Sequence, residues 1–373
     1  MTQRIALALS GGNALGAYAA GACEALQDAG LWPHLVSGAS IGAVVATLLA
    51  GNPPERRVPQ LRRFWEAAAQ HSLLPPATTG PARDAVNKWH AAQAFFWGRP
   101  ALFTPRPSGF LSLLPGTPPD IGLFDGRPLL NTLAELVDYE LVNRGDLPLL
   151  IGCVDLETGE AVTFDSRRQR IEPEHVLAST AFIPGFPPVE VGGRLLGDPG
   201  MLCNLPLDPL LAEHERDQLL VAVDLFDARG ERPHSMDTAL ERTQDIAFAS
   251  QSLRTLEAFR REQRLRHRLA ERGDQDTVAA TTEVVLVAYR PPRHELGGKA
   301  LEFSAASVQQ RWVAGRDDLA AALKARAEGR VALREPGYVL VDGRWPHARE
   351  HGRPEPVSGA GDLRPTATAG GTN

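Results

Sequence analysis

The sequence predicts an α/β fold built on a parallel sheet, and three observations carry that prediction. A short apolar run, a glycine turn and a helix-forming stretch follow one another twice within the first fifty residues, the pattern of successive β–α units. Apolar runs of strand length recur at Leu149–Val154, Ala161–Phe164, Arg194–Leu196, Leu219–Leu225 and Glu283–Val287. A chain of 373 residues with 43% hydrophobic and 23% charged residues has ordinary globular composition and length for roughly two domains.

Taken in order, Ile5–Leu9 is a β-branched and leucine run closed by glycines and reads as a buried strand. Ala14–Ala29 carries helix formers, with Gly30 as its stop. Leu35-Val36 leads into Ser37-Gly38-Ala39-Ser40-Ile41-Gly42, and Ala43–Ala50 is an apolar helix ended by Gly51. Residues 74–124 form a proline- and glycine-rich insertion with scattered aromatics, among them Trp89, Phe95, Phe96, Trp97, Phe103 and Phe110. Such an insertion serves either as a small aromatic core or as a lid facing acyl chains or a membrane. From 239 to 273 runs an arginine-rich helix with Ile246, Leu253, Leu256, Phe259, Leu265 and Leu269 as a broken apolar stripe. Its second half, Arg254–Arg272, holds seven arginines against three glutamates and suits a solvated face or an anionic membrane surface. Residues 351–373 lack periodicity and read as a disordered tail.

Composition also excludes function classes. A net charge of -6 leaves no footprint for nucleic acid. The cysteines Cys23, Cys153 and Cys203 are too few for a disulfide scaffold and lack metal-ligand spacing, so no metal and no cofactor are expected. The lysines are Lys88, Lys299 and Lys324, and none follows a glycine-rich phosphate loop. No run approaches about 18 uninterrupted apolar residues, the length of a membrane-spanning helix. Met1–Leu9 has the outline of a secretory leader, but Ser10-Gly11-Gly12-Asn13 breaks the apolar run after five residues. The strand reading is preferred, and the cytoplasm, including the inner face of its membrane, is the expected compartment.

The residues that carry chemistry begin with Gly38-Ala39-Ser40-Ile41-Gly42, a G-x-S-x-G pentapeptide. With 35 Gly among 373 residues, chance alone supplies about 0.1 such matches per chain, so the context decides. The pentapeptide lies between an extended Leu-Val run and an apolar helix, the strand–turn–helix setting of a nucleophile elbow with Ser40 at its tip. The alternative is a glycine-rich helix start with Ser40 as its cap. Gly11-Gly12-Asn13-Ala14-Leu15-Gly16 places successive backbone N–H groups ahead of that serine, as an oxyanion would require. None of the ten histidines sits in a small-residue turn after a strand, whereas Asp198 ends a strand in Arg194-Leu-Leu-Gly-Asp-Pro-Gly-Met-Leu-Cys-Asn-Leu-Pro206. A carboxylate beside Ser40 Oγ could accept its proton.

Together, Leu9-Ser10-Gly11-Gly12-x-x-x-Gly16-Ala17-Tyr18, Gly38-x-Ser40-x-Gly42, Asp198-x-Gly200 and Asn204-x-Pro206 resemble the patatin-like phospholipases, as does Ala178-Ser-Thr-Ala-Phe-Ile-Pro-Gly-Phe-Pro-Pro188. The resemblance spans roughly residues 5–210. It implies a parallel-sheet, three-layer hydrolase core over 1–228, and a mixed, partly helical C-terminal region over 229–350. It further implies hydrolysis of lipid acyl esters by a Ser-Asp dyad. Ser40 would be the nucleophile, Asp198 the base and Gly11, Gly12 and Asn13 the oxyanion hole; Gly16, Gly38, Gly42, Gly200 and Asn204 would shape the turns. The partners implied are a lipid or other acyl-ester substrate and a membrane met at its periphery. Three positions depart from the family pattern: Asn13 replaces a glycine, Pro199 follows the aspartate, and Leu15 replaces a basic residue. Asparagine tolerates left-handed backbone and keeps its N–H, while proline fits only if φ there is negative. The departures leave two other readings open, a weakened lipid-binding or scaffold protein and a Ser-His-Asp hydrolase.

Overall fold

Strand β1 (Arg4–Leu9) forms from the first apolar run and is buried from Ile5 onward. It belongs to a computed structural model that describes residues 3–70, 80–213, 216–272, 280–292 and 298–344. The remaining strands are β2 (Leu35–Ala39), β3 (Thr104–Pro105), β4 (Phe124–Asp125), β5 (Leu149–Asp155), β6 (Ala161–Asp165), β7 (Val189–Val191), β8 (Arg194–Gly197), β9 (Gln218–Asp224), β10 (Thr282–Ala288), β11 (Leu333–Glu335) and β12 (Tyr338–Asp342). Ten of them make one sheet in the order β11-β12-β10-β9-β1-β2-β5-β8-β7, with β6 beside β5, while β3 and β4 pair separately. From β12 through β5 every pairing is parallel; the antiparallel partners β6, β7, β8 and β11 lie towards the margins.

The central strands read as nearly unbroken apolar runs because both faces are covered. Leu7, Leu9, Val36, Val221 and Val285 point to one core, shared with helices α1 (Gly16–Asp28), α2 (Ile41–Ala50) and the helix Ala305–Ala327. Ala6, Ala8, Leu220 and Val284 point to the other, with Leu210, Leu256 and Phe259. The result is three layers, helix–sheet–helix. The sheet is mixed at its margins, and residues 282–342 add three of its strands next to β9.

Two glycines set how the last layer docks. A Cβ on Gly21 of α1 would lie 1.9 Å from the Trp312 carbonyl oxygen, and one on Gly315 would lie 1.9 Å from the Tyr18 carbonyl oxygen. The two helices therefore cross backbone to backbone, and polar bonds flank the crossing: Tyr18 Oη donates to Asp318 at 2.9 Å and Trp312 Nε1 to Glu24 at 2.5 Å.

The differences from expectation have local causes. The insertion holds an 18-residue helix, Gly80–Trp97, although its proline and glycine content reads as loop; residues 74–79 of it lie outside the described residues. The long helix runs Met236–Glu271, and its buried positions are Asp245, Ala249, Ser252, Leu256, Phe259 and Gln263, a helical stripe of which half is polar. Ile246, Leu265 and Leu269 of the expected apolar stripe are exposed. Arg260 and Arg261 pair with Glu257, and Arg266 with Glu262. Strands β3, β4, β7, β11 and β12 have no counterpart in the sequence reading, and all but β12 have three residues or fewer. The expected tail, 351–373, lies outside the described residues, and among those described no helix is long and apolar enough to cross a membrane.

Replacing a helical glycine by alanine ordinarily stabilises by about 1 kcal/mol. At Gly315 the sign reverses, because the new methyl meets a backbone oxygen that cannot move without parting the helices. Gly315→Ala is expected to lose about 3 kcal/mol in urea unfolding, read as a lower midpoint at unchanged slope.

Candidate active site

Strand β2 ends at Ala39 and helix α2 begins at Ile41, so the chain turns within one residue, Ser40. That residue adopts φ 55° and ψ −126°, a region that costs a non-glycine residue about 1–3 kcal/mol. The flanking glycines make the turn feasible. A Cβ on Gly38 would lie 2.3 Å from the Gly42 carbonyl oxygen, and one on Gly42 would lie 2.2 Å from the Leu9 carbonyl oxygen. The elbow is pinned from behind by Ser179, whose Oγ accepts the Ser40 N–H at 3.0 Å and donates to the Gly152 carbonyl on β5 at 2.6 Å.

Asp198 follows β8 directly and is buried. Its N–H donates to Ala181 at 3.0 Å, and its carboxylate accepts the Gly200 N–H at 2.8 Å. Burial raises its pKa to about 6, against the opposing pull of the neighbouring Ser40 hydroxyl and the Gly200 N–H. Pro199 has φ −76° and ψ −1°, an ordinary proline backbone, so the departure at this position brings no strain. Gly200 leaves room for the carboxylate, since a Cβ there would lie 3.0 Å from Asp198 Oδ1.

The third turn is Gly11–Gly16. The Gly11 N–H, expected in the oxyanion hole, instead donates to the Asn204 carbonyl at 3.0 Å, while Asn204 Nδ2 returns a bond to the Gly11 carbonyl at 3.2 Å. Gly11 is thus committed to stitching two turns together, and a Cβ on it would lie 2.9 Å from Ser40 Cβ. Among the described residues, no acceptor takes the N–H of Gly12 or Asn13. Asn13 sits at φ 51°, the left-handed conformation asparagine tolerates. Gly16 starts α1 against Ile41, whose Cγ1 would lie 2.6 Å from any Cβ there.

Gly12, Asn13, Ser40, Asp198, Gly200 and Asn204 all border one cavity of about 400 Å³. Its walls are chiefly apolar: Val44, Leu102, Phe103, Phe124, Leu129, Phe182, Phe186, Phe226, Phe248 and Leu301. Phe103 and Phe124 belong at once to this wall and to a cluster of edge-on rings with Phe95, Phe110 and Phe186, so the insertion supplies both core and cavity lining. Trp89, Phe96 and Trp97 of the same insertion are exposed. No histidine lines the cavity among the described residues, and His214, in a charged stretch, lies outside them. No group of three or more His, Cys, Asp or Glu side chains among the described residues could hold a metal ion.

Several contributors escape sequence reasoning. Ser179 carries no motif of its own. Gln251, in the arginine-rich helix, accepts the Asn204 N–H at 2.7 Å and donates to the Gly200 carbonyl at 3.0 Å, bracing both ends of the aspartate turn. Behind the glycine turn, Ser10 Oγ accepts the Leu225 N–H at 2.8 Å and donates to the Gly11 carbonyl at 3.4 Å, while Asp224, a second buried carboxylate raised to about 6 by desolvation, accepts Ser252 Oγ at 2.8 Å. The signal for Ser179 is the Ala178–Pro188 segment, which resembles the family pattern without giving that residue a role.

Comparison with known proteins follows the same residues. A family model described as patatin-like phospholipase matches residues 7–211. An uncharacterized NTE family protein of Mycobacterium tuberculosis is 25% identical over 225 residues, 60% of this chain and 49% of that protein, and its Mycobacterium bovis counterpart matches equally. The chain therefore spans about half the length of the curated relatives it matches. Among solved structures, VipD from Legionella pneumophila aligns over 83% of this chain and 66% of its own at 16% identity and a TM-score of 0.33. The type III effector ExoU aligns over 87% and 53% at 16% identity and a TM-score of 0.34.

The raised pKa of Asp198 has a consequence for stability. Between its ordinary value near 3.8 and about 6, the unfolded chain ionises this group while the folded chain keeps it protonated, so stability falls as pH rises through that window. Asp198→Asn removes the buried charge. The variant is expected to be more stable than wild type at pH 8, by on the order of 2–3 kcal/mol, with the difference closing towards pH 4. Thermal or urea unfolding at the two pH values measures it.

Proposed function

The chain belongs to the patatin-like phospholipase family over residues 7–211, and from that premise we propose that it is a serine-dependent lipid acyl hydrolase working through Ser40 and Asp198. The observation that carries this reading is a strained serine beside a buried aspartate at the wall of a phenylalanine-lined cavity.

Ser40 Oγ attacks the ester carbonyl carbon while its proton passes to Asp198. The carbonyl oxygen becomes an oxyanion and takes the N–H groups of Gly12 and Asn13, an interaction worth about 3 kcal/mol per donor in sites of this kind. Collapse of the adduct breaks the ester bond, and the leaving alcohol carries away the proton held by Asp198. Water then attacks the acyl-serine with Asp198 again as base and releases the fatty acid. Asp198 suits both proton transfers: burial weakens it as an acid, and the Gly200 N–H keeps it aimed. The apolar cavity suits the acyl chain. The dyad falls within residues 1–228, while Gln244, Phe248, Ala300 and Leu301 from beyond 228 complete the wall. Pro199 and Asn13, the departures that favour a weakened scaffold protein, both sit in backbone conformations natural to them, which supports the hydrolase.

A p-nitrophenyl ester series with wild type, Ser40→Ala and Asp198→Asn tests the reading. Both folded variants are expected to lose at least about a thousand-fold in kcat. Because the base must be ionised, wild-type kcat/KM is expected to rise with pH through about 6 and level off above it. Wild type no faster than Ser40→Ala on these esters and on phospholipid vesicles overturns the proposal and leaves a lipid-binding protein.

A further inference from the structure

Arg311 lies on the helix Ala305–Ala327, about a hundred residues beyond Asp198 in sequence, and its side chain is wholly enclosed. A guanidinium keeps its proton in any protein environment, so a full positive charge sits inside the molecule. Its Nη1 donates to the carbonyls of Ala14 at 3.3 Å and Glu302 at 2.7 Å, and its Nη2 to that of Lys299 at 3.2 Å. The Glu302 carboxylate, also buried, stands 3.6 Å away as counter-ion.

Ala14 is the middle residue of the single helical turn Asn13–Leu15. In such a turn the N–H groups point towards its start and the carbonyls towards its end. The start, with Gly12 and Asn13, borders the Ser40 cavity; the end is what Arg311 grips. The turn runs directly into α1, and outside that helix it has two anchors. Asn204 holds its entry at Gly11, and Arg311 holds its exit at Ala14. A donor misplaced by about 1 Å forfeits much of its hold on an oxyanion, so the exit anchor bears on rate.

We infer that Arg311 is a positioning residue for the oxyanion turn, fixing the direction of the Gly12 and Asn13 N–H groups through the Ala14 carbonyl and adding a positive field behind them. The inference rests on the hydrolase reading of Ser40. It also gives the C-terminal helix a part in the reaction beyond packing. The same guanidinium holds the Lys299–Glu302 segment, whose Ala300 and Leu301 line the cavity, so an effect on the acyl wall must be separable from one on the oxyanion.

Steady-state kinetics on p-nitrophenyl butyrate separate them. Two variants are compared with wild type after each is checked for folding: Arg311→Lys, which keeps the charge opposite Glu302, and Arg311→Met with Glu302→Gln, which removes both charges and so avoids a lone buried carboxylate. Both are expected to lower kcat about ten- to a hundred-fold with KM within about twofold of wild type. An alkyl trifluoromethyl ketone, whose adduct with Ser40 places an oxyanion in the hole, is expected to bind more weakly by the same factor. A folded variant with wild-type kcat overturns the inference. So does a change confined to KM and chain-length preference with ketone affinity intact, which would make Arg311 a support of the cavity wall. Failure of both variants to fold assigns Arg311 to structure alone and likewise overturns it. Wild type lacking Ser40-dependent turnover is a different result: it removes the hydrolase reading itself.

Discussion

Backbone touching backbone is the constraint on which the catalytic end of this molecule depends. Three turns, after β1, after β2 and after β8, converge to within a side chain's breadth of one another, and they do so only where Cβ atoms are missing. A methyl on Gly42 would strike the Leu9 carbonyl, one on Gly38 would strike Gly42, and one on Gly11 would strike Asn204 and Ser40. Parallel strands deliver the turns after β1 and β2 to the same edge of the sheet, and β8, antiparallel to β5 and paired with it only at Val154 and Asp155, ends beside them. The glycines turn that proximity into contact. Ser40, held in an unfavourable backbone region, is kept there by the sheet on one side, α2 on the other and the Ser179 hydroxyl behind.

Two carboxylates at this edge are handled by enclosure rather than by ion pairing, whereas Asp155 and Asp342 pair with Arg194 and Arg344. Asp198 and Asp224 both sit at the ends of strands, both are buried, and both are satisfied by hydroxyl and N–H donors instead of arginines. Neutral donors stabilise a carboxylate less than a guanidinium does, which leaves each group with a pKa near 6 in place of a depressed one. Other arginines form surface pairs along the long helix, and Arg311 has the buried Glu302 as its counter-ion.

How much of this was legible in the sequence follows from where each requirement is written. Gly38, Gly42 and the strand–turn–helix pattern are readable because the constraint acts on the residue itself and on its immediate neighbours. The central strands are readable for the same reason, since double coverage makes them continuously apolar. Ser179, Gln251 and Arg311 are not, because nothing local distinguishes them; each matters through a partner 139, 47 or 297 residues away. The long helix misled for a related reason. Its buried stripe includes Asp245 and Ser252, whose partners Lys299 and Asp224 on other elements make polar residues acceptable inside, while leucines at 265 and 269 face outward. The 80–97 helix was hidden by proline and glycine on either side of it.

Most of the cavity wall comes from side chains other than those that hold the serine and the aspartate. Its rings and aliphatic chains come chiefly from residues 102–129, the 180–186 segment, the long helix and the 300–301 turn, whereas Ser40 and Asp198 come from short turns of the sheet edge. Shape and reactivity are therefore inherited through different stretches of sequence. Substitutions among the wall residues can lengthen, narrow or re-route the space offered to a hydrocarbon tail while the glycine contacts stay as they are. A lineage built on this scaffold has room to change its diet without relearning its chemistry.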